Sequence, residues 1–225
     1  MKPGRSTGLL LLRLLLLLFL TPLAVSAQEF GGGVRAGSLG FGGEAAVGLT
    51  RFLAVRGGFG FFPVELNLTY SGVDYTVKPP STMGTIGADF YPAGKSFRLM
   101  AGFLLRKGDI ELTSADLGQA GPVEIGDSEY DQAGVISGSL QTEATAPFVG
   151  IGFGRHTAPG FGVSLDLGVA FVGEPNVTLR ASGPISQAPG ITENLQREAH
   201  TIEEDARGVL KYWPVLSLGV KIPLG

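Results

Sequence analysis

The sequence contains no cysteine and few charged residues, and both shortages restrict the classes of protein it can belong to. The chain has 225 residues, no Cys, and only 16% charged residues. Without Cys it can form neither a disulfide scaffold, nor a thiolate metal site, nor a lipid-anchored N-terminal cysteine. Gly accounts for 36 residues but shows no Gly-X-Y period, which excludes collagen. The hydrophobic fraction of 44% excludes an intrinsically disordered chain.

The N-terminal segment has the pattern of an export signal. Three basic residues accompany an apolar core, Leu14–Leu20, and small residues at Val25–Ala27 form a cleavage site. The core is too short for a membrane anchor, so we predict that residues 1–27 are a cleaved signal peptide and that residues 28–225 form one domain. Without the leader, 14 basic and 20 acidic residues remain, a formal charge of −6, and this balance does not favour nucleic acid as a partner.

Large apolar residues alternate with small or polar ones over three long stretches. No apolar run beyond the leader is long enough for a transmembrane helix. The clearest alternation is Phe161, Val163, Leu165, Leu167, Val169 and Phe171, and similar patterns occupy 97–106 and 216–224. A period of two residues is typical of strands, because successive side chains point to opposite faces.

Two all-β architectures could carry this alternation. A soluble sandwich would place polar residues on its wet face, but here the second face is mostly Gly, Ala and Ser. Small residues suit the crowded interior of a narrow barrel, and outward apolar residues suit contact with lipid. We therefore predict an all-β protein, an eight-stranded antiparallel up-and-down transmembrane β-barrel in the cell outer membrane.

Short and long connections alternate between the predicted strands. The strands are expected near 39–49, 52–66, 80–91, 97–112, 139–154, 161–180 and 209–223. Long connections fall at 67–79, 113–138 and 181–208. Because outer-membrane barrels have short periplasmic turns and longer extracellular loops, the three long loops are expected outside the cell.

Seven strands would place the two termini on opposite sides of the membrane. Both termini should lie in the periplasm, so an eighth strand is required. We assign it to 30–36, with a turn at Gly37-Ser38. The alternative is a single kinked strand over 31–49.

The last long loop contains one amphipathic helix. Apolar residues recur there at spacings of three or four, at Ile191, Leu195, Ala199, Ile202, Ala206 and Val209. The helix could pack on the barrel rim or act as a gating lid.

Three glycine-rich segments of the sequence are distinctive: Val34 to Gly48 (VRAGSLGFGGEAAVG), Ala146 to Gly154 (APFVGIGFG) and Ser164 to Gly183 (SLDLGVAFVGEPNVTLRASG). Together they resemble a widespread group of small proteobacterial outer-membrane β-barrel proteins that mostly have no assigned activity. The resemblance covers nearly the whole chain after the leader and implies a single eight-stranded barrel, distantly akin to the membrane domain of OmpA or to OmpW. Such barrels usually end on an aromatic residue, whereas this chain ends Pro223-Leu224-Gly225.

The inner face of the predicted barrel carries a set of charges. Continuing each alternation inward places there Glu44, Arg56, Asp89, Arg98, Arg106, Asp166 and Lys211. Isolated charges in a narrow interior are costly, so we expect them to pair and to close the lumen. The alternative is a thin water path lined by unpaired charges.

Few residues suggest chemistry. We predict that His156 is a solvated residue of a periplasmic turn and that His200, on the outer helix, has no catalytic role. The run Asp127–Asp131 lacks the Gly and closing Glu of an EF-hand, so it is interpreted as solvated loop charge. We expect no catalytic site, metal or cofactor.

The favoured function is that of a non-enzymatic outer-membrane protein, structural or surface-interacting through its three outer loops. The alternatives are an outer-membrane transporter of small solutes, hydrophobic ones among them, and, less favoured, a lipid A-modifying enzyme. The expected partners are outer-membrane lipid, lipopolysaccharide and the insertion machinery, with the protein a monomer.

Overall fold

The computed structural model describes residues 29–63, 65–70, 73–119, 121–207 and 211–223, and the predicted signal peptide lies outside them. Fifteen strands and one α-helix occur there. The strands are β1 (Glu29–Gly37), β2 (Gly40–Gly48), β3 (Leu53–Phe61), β4 (Leu66–Tyr70), β5 (Val73–Lys78), β6 (Thr82–Phe90), β7 (Arg98–Lys107), β8 (Ile110–Ser114), β9 (Val123–Ile125), β10 (Ser128–Tyr130), β11 (Val135–Gln141), β12 (Thr145–Phe153), β13 (Gly162–Phe171), β14 (Asn176–Ser182) and β15 (Tyr212–Pro223). The helix, α1, spans Ile191–Arg207.

Eight of these strands close into an antiparallel barrel in the order β1-β15-β13-β12-β7-β6-β3-β2. Closure is made by β1 against β15, in a register that runs from Gly31 opposite Pro223 to Gly37 opposite Ser217. The predicted architecture is therefore confirmed. The strand that parity required at 30–36 is β1, and the chain turns at Ser38 and Leu39 rather than continuing as one kinked strand.

The barrel has two distinct ends. At the turn end, short connections at 49–52, 91–97 and 154–161 join the barrel strands. At the loop end, the chain leaves the barrel after Phe61, Lys107 and Phe171 and returns to it at Thr82, Thr145 and Tyr212.

The outer wall of the barrel is an apolar belt, as the alternation predicted. On β13 Leu165 and Leu167 are about 40% exposed while Ser164 and Asp166 are buried. The same alternation continues on β7 and β15, where Phe103 and Leu218 face outward. An exposed surface of this kind is stable only against lipid hydrocarbon.

Two of the predicted strands are divided at a glycine where the chain leaves the barrel. The predicted strand 97–112 divides after Lys107 at Gly108, which has a φ of 88°. The predicted strand 161–180 divides at Gly173, with a φ of 78°, shortly before Pro175. Positive φ suits Gly and proline cannot donate to a ladder, so each site interrupts the barrel pairing.

The predicted long loops contain strands that the sequence analysis did not predict, most of them in 67–79 and 113–138. Beyond the barrel, five strands pair as a second sheet in the order β14-β11-β8-β5-β4. The hairpin β9-β10 and α1 cover one face of this sheet, and these elements together are called the loop-end domain. Its core contains Leu117, Val123, Ile125, Tyr130, Ile136, Ile185, Ala188, Ile191 and Leu195.

The amphipathic helix forms where it was predicted, and its residues Ile191, Leu195 and Ala199 are buried. Its contacts are mainly with β14 and β9 of the loop-end domain, so it covers the second sheet instead of the barrel rim. Val209, the last residue of the predicted apolar stripe, lies outside the described residues. No helix in the described part of the chain is long and apolar enough to cross a bilayer.

The two ends of the barrel should be distinguishable by cysteine labelling, since the chain has no native Cys. Ser128→Cys lies in the loop-end domain and Lys95→Cys lies at the turn end, both exposed. A polyethylene glycol maleimide too large for porins should label Ser128→Cys on intact cells and Lys95→Cys only after the outer membrane is permeabilised. The reverse pattern would invert the orientation.

Placing a charge in the apolar belt should destabilise the barrel. Leu167→Arg, near the middle of β13, should cost about 2–4 kcal/mol of folding free energy because the guanidinium would face hydrocarbon. Leu66→Arg on β4 is the control, since Leu66 is exposed outside the barrel, and it should change stability by less than about 0.5 kcal/mol. Equilibrium unfolding from lipid vesicles measures both, and equal effects would contradict the position of the belt.

Candidate functional site

A buried cluster of charges crosses the middle of the barrel lumen. The structure brings together five of the residues that the alternation placed inside, which we call the lumen cluster: Glu44, Arg56, Asp89, Arg98 and Asp166. Arg56 is at its centre. Its Nη1 lies 3.0 Å from Glu44 Oε2 and 2.8 Å from Asp166 Oδ2, and its Nε lies 3.1 Å from Asp89 Oδ2. One guanidinium thus joins carboxylates from three different strands.

Arg98 supplies the second cation of the lumen cluster. Its side chain is fully buried. It donates to Asp166 Oδ1 and to the Gly154 carbonyl oxygen, and its Nε lies 3.6 Å from Asp89 Oδ2. Ser217 also donates to Asp166, at 3.2 Å. Because Arg56 and Arg98 share Asp89 and Asp166, the removal of either arginine would leave charge uncompensated.

Two predicted inner charges lie apart from the lumen cluster. Arg106 is buried near the loop end, where its Nη2 donates to the Thr142 carbonyl oxygen at 2.6 Å and lies 4.0 Å from Asp109 Oδ1. Lys211 precedes β15, and its Nζ is 5.1 Å from the centroid of the Tyr212 ring. Neither contacts the central carboxylates.

Arg35 is a lumen residue that the sequence analysis did not identify. It is 4% exposed and lines the same small cavity as Arg56, Asp89 and Asp166. Its charge brings the number of cations beside the three carboxylates to three. It was missed because β1 was inferred from parity alone, so no face was assigned to its residues, although Val34 and Ala36 flank Arg35 as an alternation would.

His156 is not the solvated turn residue that the sequence analysis predicted. It is 1% exposed, its Nε2 lies 2.6 Å from Glu44 Oε1, and its Nδ1 lies 3.9 Å from Asp89 Oδ2. The turn between β12 and β13 folds inward and places the imidazole against the lumen cluster. The sequence contained one indication of this position. Glu44 is a carboxylate on the predicted inner face near the turn end, and a buried carboxylate needs a polar or charged partner.

The inward turn, residues 154–161, is attached to the barrel wall on several sides. Thr157 Oγ1 donates to Glu29 Oε2 at 3.0 Å, and Arg155 Nη2 lies 3.2 Å from the same oxygen. The Arg155 guanidinium also lies 4.9 Å from the centre of the buried Tyr91 ring, and burial raises the pKa of the Tyr91 phenol. Lys221 completes the attachment by donating to backbone carbonyl oxygens of the turn.

Gly31 on β1 makes room for the inward turn. A Cβ added there would lie 1.9 Å from the His156 carbonyl oxygen, which no side chain could tolerate. A glycine is therefore required at position 31 by the turn that packs against it.

Apolar side chains fill the lumen from the lumen cluster toward the loop end. They are Leu39, Met83, Met100, Leu104, Ala146, Phe148, Ala170, Val172 and Val215. Beside the lumen cluster remains a cavity of about 10 Å³, bounded by charged residues and by Met100 and Phe148. That volume is about enough for a single water molecule.

A second candidate site is an open cleft of about 920 Å³ in the loop-end domain. It lies between the second sheet, the β9-β10 hairpin and α1, and we call it the loop-end cleft. Apolar side chains form its floor, among them Tyr75, Leu112, Ile136, Leu179, Leu195 and Ile202. Four carboxylate residues, Glu124, Asp127, Glu129 and Glu198, stand around it.

The other polar motifs of the sequence gain no metal or catalytic geometry. Asp127 pairs with Arg197 at 2.7 Å, and Tyr130 from the same run is buried in the core. His200 is exposed on α1, 3.9 Å from Glu204. Within the described ranges, no three His, Asp or Glu side chains are grouped so as to hold a metal ion.

Comparison with known proteins identifies the fold. No protein-family model matches the chain, and neither does any curated protein. The crystal structure of Acinetobacter baumannii CarO2 matches with a TM-score of 0.65 at 20% identity, over 88% of this chain and 100% of that one. The structure of Acinetobacter baumannii CarO matches with a TM-score of 0.62 at 21% identity, over 86% and 97%.

This chain is a small eight-stranded outer-membrane barrel. The closed sheet and the apolar belt carry that assignment, and the two structural neighbours share the fold. At 20–21% identity the likeness extends to the fold alone.

Removing the central cation of the lumen cluster should be severely destabilising. Arg56→Met leaves three buried carboxylates without their shared partner, so we expect a loss of about 3–5 kcal/mol. Arg180→Met on β14 removes an exposed arginine and should change stability by less than about 0.5 kcal/mol. Denaturant unfolding in the same detergent compares the two variants, and similar midpoints would show that Arg56 does not hold the cluster together.

Proposed function

We propose that the protein is a non-enzymatic, surface-interacting outer-membrane protein. Its barrel is a closed anchor, and its loop-end domain makes the functional contacts outside the cell. Lipid and lipopolysaccharide surround the belt, the insertion machinery assembles the barrel, and the protein works as a monomer.

The observation that carries the closed barrel is the filling of its lumen in three successive layers. The inward turn with His156 occupies the turn end, the lumen cluster occupies the middle, and apolar side chains such as Leu104 and Phe148 occupy the loop end. The space left beside the lumen cluster is only about 10 Å³, which supports closure at the middle layer. An eight-stranded barrel is just wide enough for its side chains to fill.

The position of the polar groups supports a role without catalysis. His156 is buried behind the lumen cluster at the turn end, far from any substrate in the outer leaflet if the long connections lie outside. His200 sits on the exposed surface of α1 with Glu204 as its neighbour. A hydrolytic site needs a nucleophile, a base and an orienting group within hydrogen-bond reach of one another.

The loop-end domain supports a binding role because it is a folded unit and not a set of loops. Its hydrophobic core and second sheet hold the loop-end cleft in a fixed shape, and preformed concave surfaces are the usual sites of ligand binding.

The apolar floor of this cleft favours a second candidate function. A transporter of small hydrophobic solutes would collect them at such a surface and release them sideways into the membrane. Uptake of a radiolabelled apolar solute by cells with and without the protein distinguishes this candidate from the first.

Planar-bilayer recording tests the closed barrel. The purified protein should give no steady ion conductance, because charged and apolar side chains fill the lumen, whereas a porin inserted by the same procedure should conduct. Large, steady openings from the folded protein would contradict the closed anchor and favour a transport function.

A further inference from the structure

The loop-end cleft combines an apolar floor with a rim of one charge sign. Its volume of about 920 Å³ is that of a site for a drug-sized molecule, since such sites measure roughly 300–1,000 Å³. The floor is built from both sides, by Leu112 and Leu179 of the second sheet and by Leu195 and Ile202 of α1. A ligand with an apolar body would gain free energy by removing this surface from water.

The rim of the cleft is acidic. Glu124, Asp127 and Glu129 are exposed on the hairpin, and Glu198 faces them from α1. Arg197 neutralises Asp127 at 2.7 Å, and Glu198 accepts a hydrogen bond from the Gly126 amide at 3.2 Å. Among the described residues that line the cleft, none is Lys, Arg or His.

This charge arrangement selects the class of ligand. With Asp127 paired, three carboxylates still surround an apolar surface, so an anion would be repelled and a neutral apolar molecule would leave the rim unused. A cation with an apolar body satisfies both parts of the cleft, because its charge stays at the wet rim while its body covers the floor.

We propose that the loop-end cleft binds a hydrophobic organic cation, an amine that carries an aromatic or alkyl body. The inference deepens the surface-interacting role proposed above and depends on it. The floor and the rim of the cleft each contribute to the predicted ligand class. Each contribution can therefore be tested by its own substitutions.

Binding is measured with the full protein in nanodiscs of zwitterionic phosphatidylcholine, with empty nanodiscs as the blank. The probe is dansylcadaverine, an aromatic amine, and its partner is dansyl-6-aminohexanoic acid, which carries the same fluorophore on a carboxylate. Fluorescence anisotropy should show saturable binding of the amine, weakened by added salt, and no saturable binding of the acid.

Matched variants separate the rim from the overall charge of the protein. Glu124→Gln with Glu129→Gln should weaken binding of the amine about three- to tenfold, as expected for two exposed charge interactions. Glu111→Gln with Glu193→Gln removes the same charge at exposed positions outside the cleft and should leave the affinity unchanged. Ile202→Trp tests the floor by filling the cleft, and it should weaken binding about tenfold or more.

Three results would each overturn the inference: equal binding of the amine and the acid, equal loss in the two double variants, or full binding by Ile202→Trp. Absence of saturable amine binding would overturn it as well. The bilayer recording keeps the two proposals apart. A silent barrel that does not bind the amine refutes only the ligand class, whereas a conducting barrel that binds it refutes only the closed anchor.

Discussion

The structure depends on the balance of charge inside the barrel. Burial of three carboxylates would strongly destabilise the fold unless cations and hydrogen-bond donors replaced the solvation that they lose. Arg56 meets this requirement by contacting Glu44, Asp89 and Asp166 together, and Arg98 shares two of these partners. The cluster connects strands on different sides of the barrel, so it holds the wall together across the lumen. The inward turn follows from the same requirement, because His156 completes the environment of Glu44.

The loop-end domain is built from the chain segments that continue beyond the barrel strands, although they form a separate sheet. Chain segments that leave the barrel at Gly108 and Gly173 pair again beyond it as the second sheet. A sheet in water must bury one face, and the hairpin and α1 cover it. Since the cover does not reach every part of the sheet, an apolar surface is left between these elements, and this surface is the floor of the loop-end cleft.

Much of the barrel could be predicted from the sequence, and most of the loop-end domain could not. Alternation in 161–171 and 97–106 depends only on which side of a strand meets lipid, so it was visible without tertiary information. The requirement for an even number of strands predicted β1, but it did not predict that Arg35 faces the lumen. The segments 67–79 and 113–138 were predicted to be loops, because their strands are short and are stabilised by partners distant in sequence, such as Thr76 of β5 opposite Thr113 of β8.

The sequence by itself determined the period-two pattern, the number of barrel strands, the amphipathic helix and most of the charges that face inward. The patterns of side chains depend only on residues that are neighbours in the sequence. The number of strands follows from the requirement that both termini lie on the same side of the membrane. Only the tertiary structure decided which charges meet. It separated Arg106 and Lys211 from the lumen cluster, turned His156 inward over Gly31, and joined α1 to the second sheet so that four carboxylates surround one cleft. Such contacts depend on the register and closure of the barrel, and neither can be inferred from the alternation of residues along the sequence.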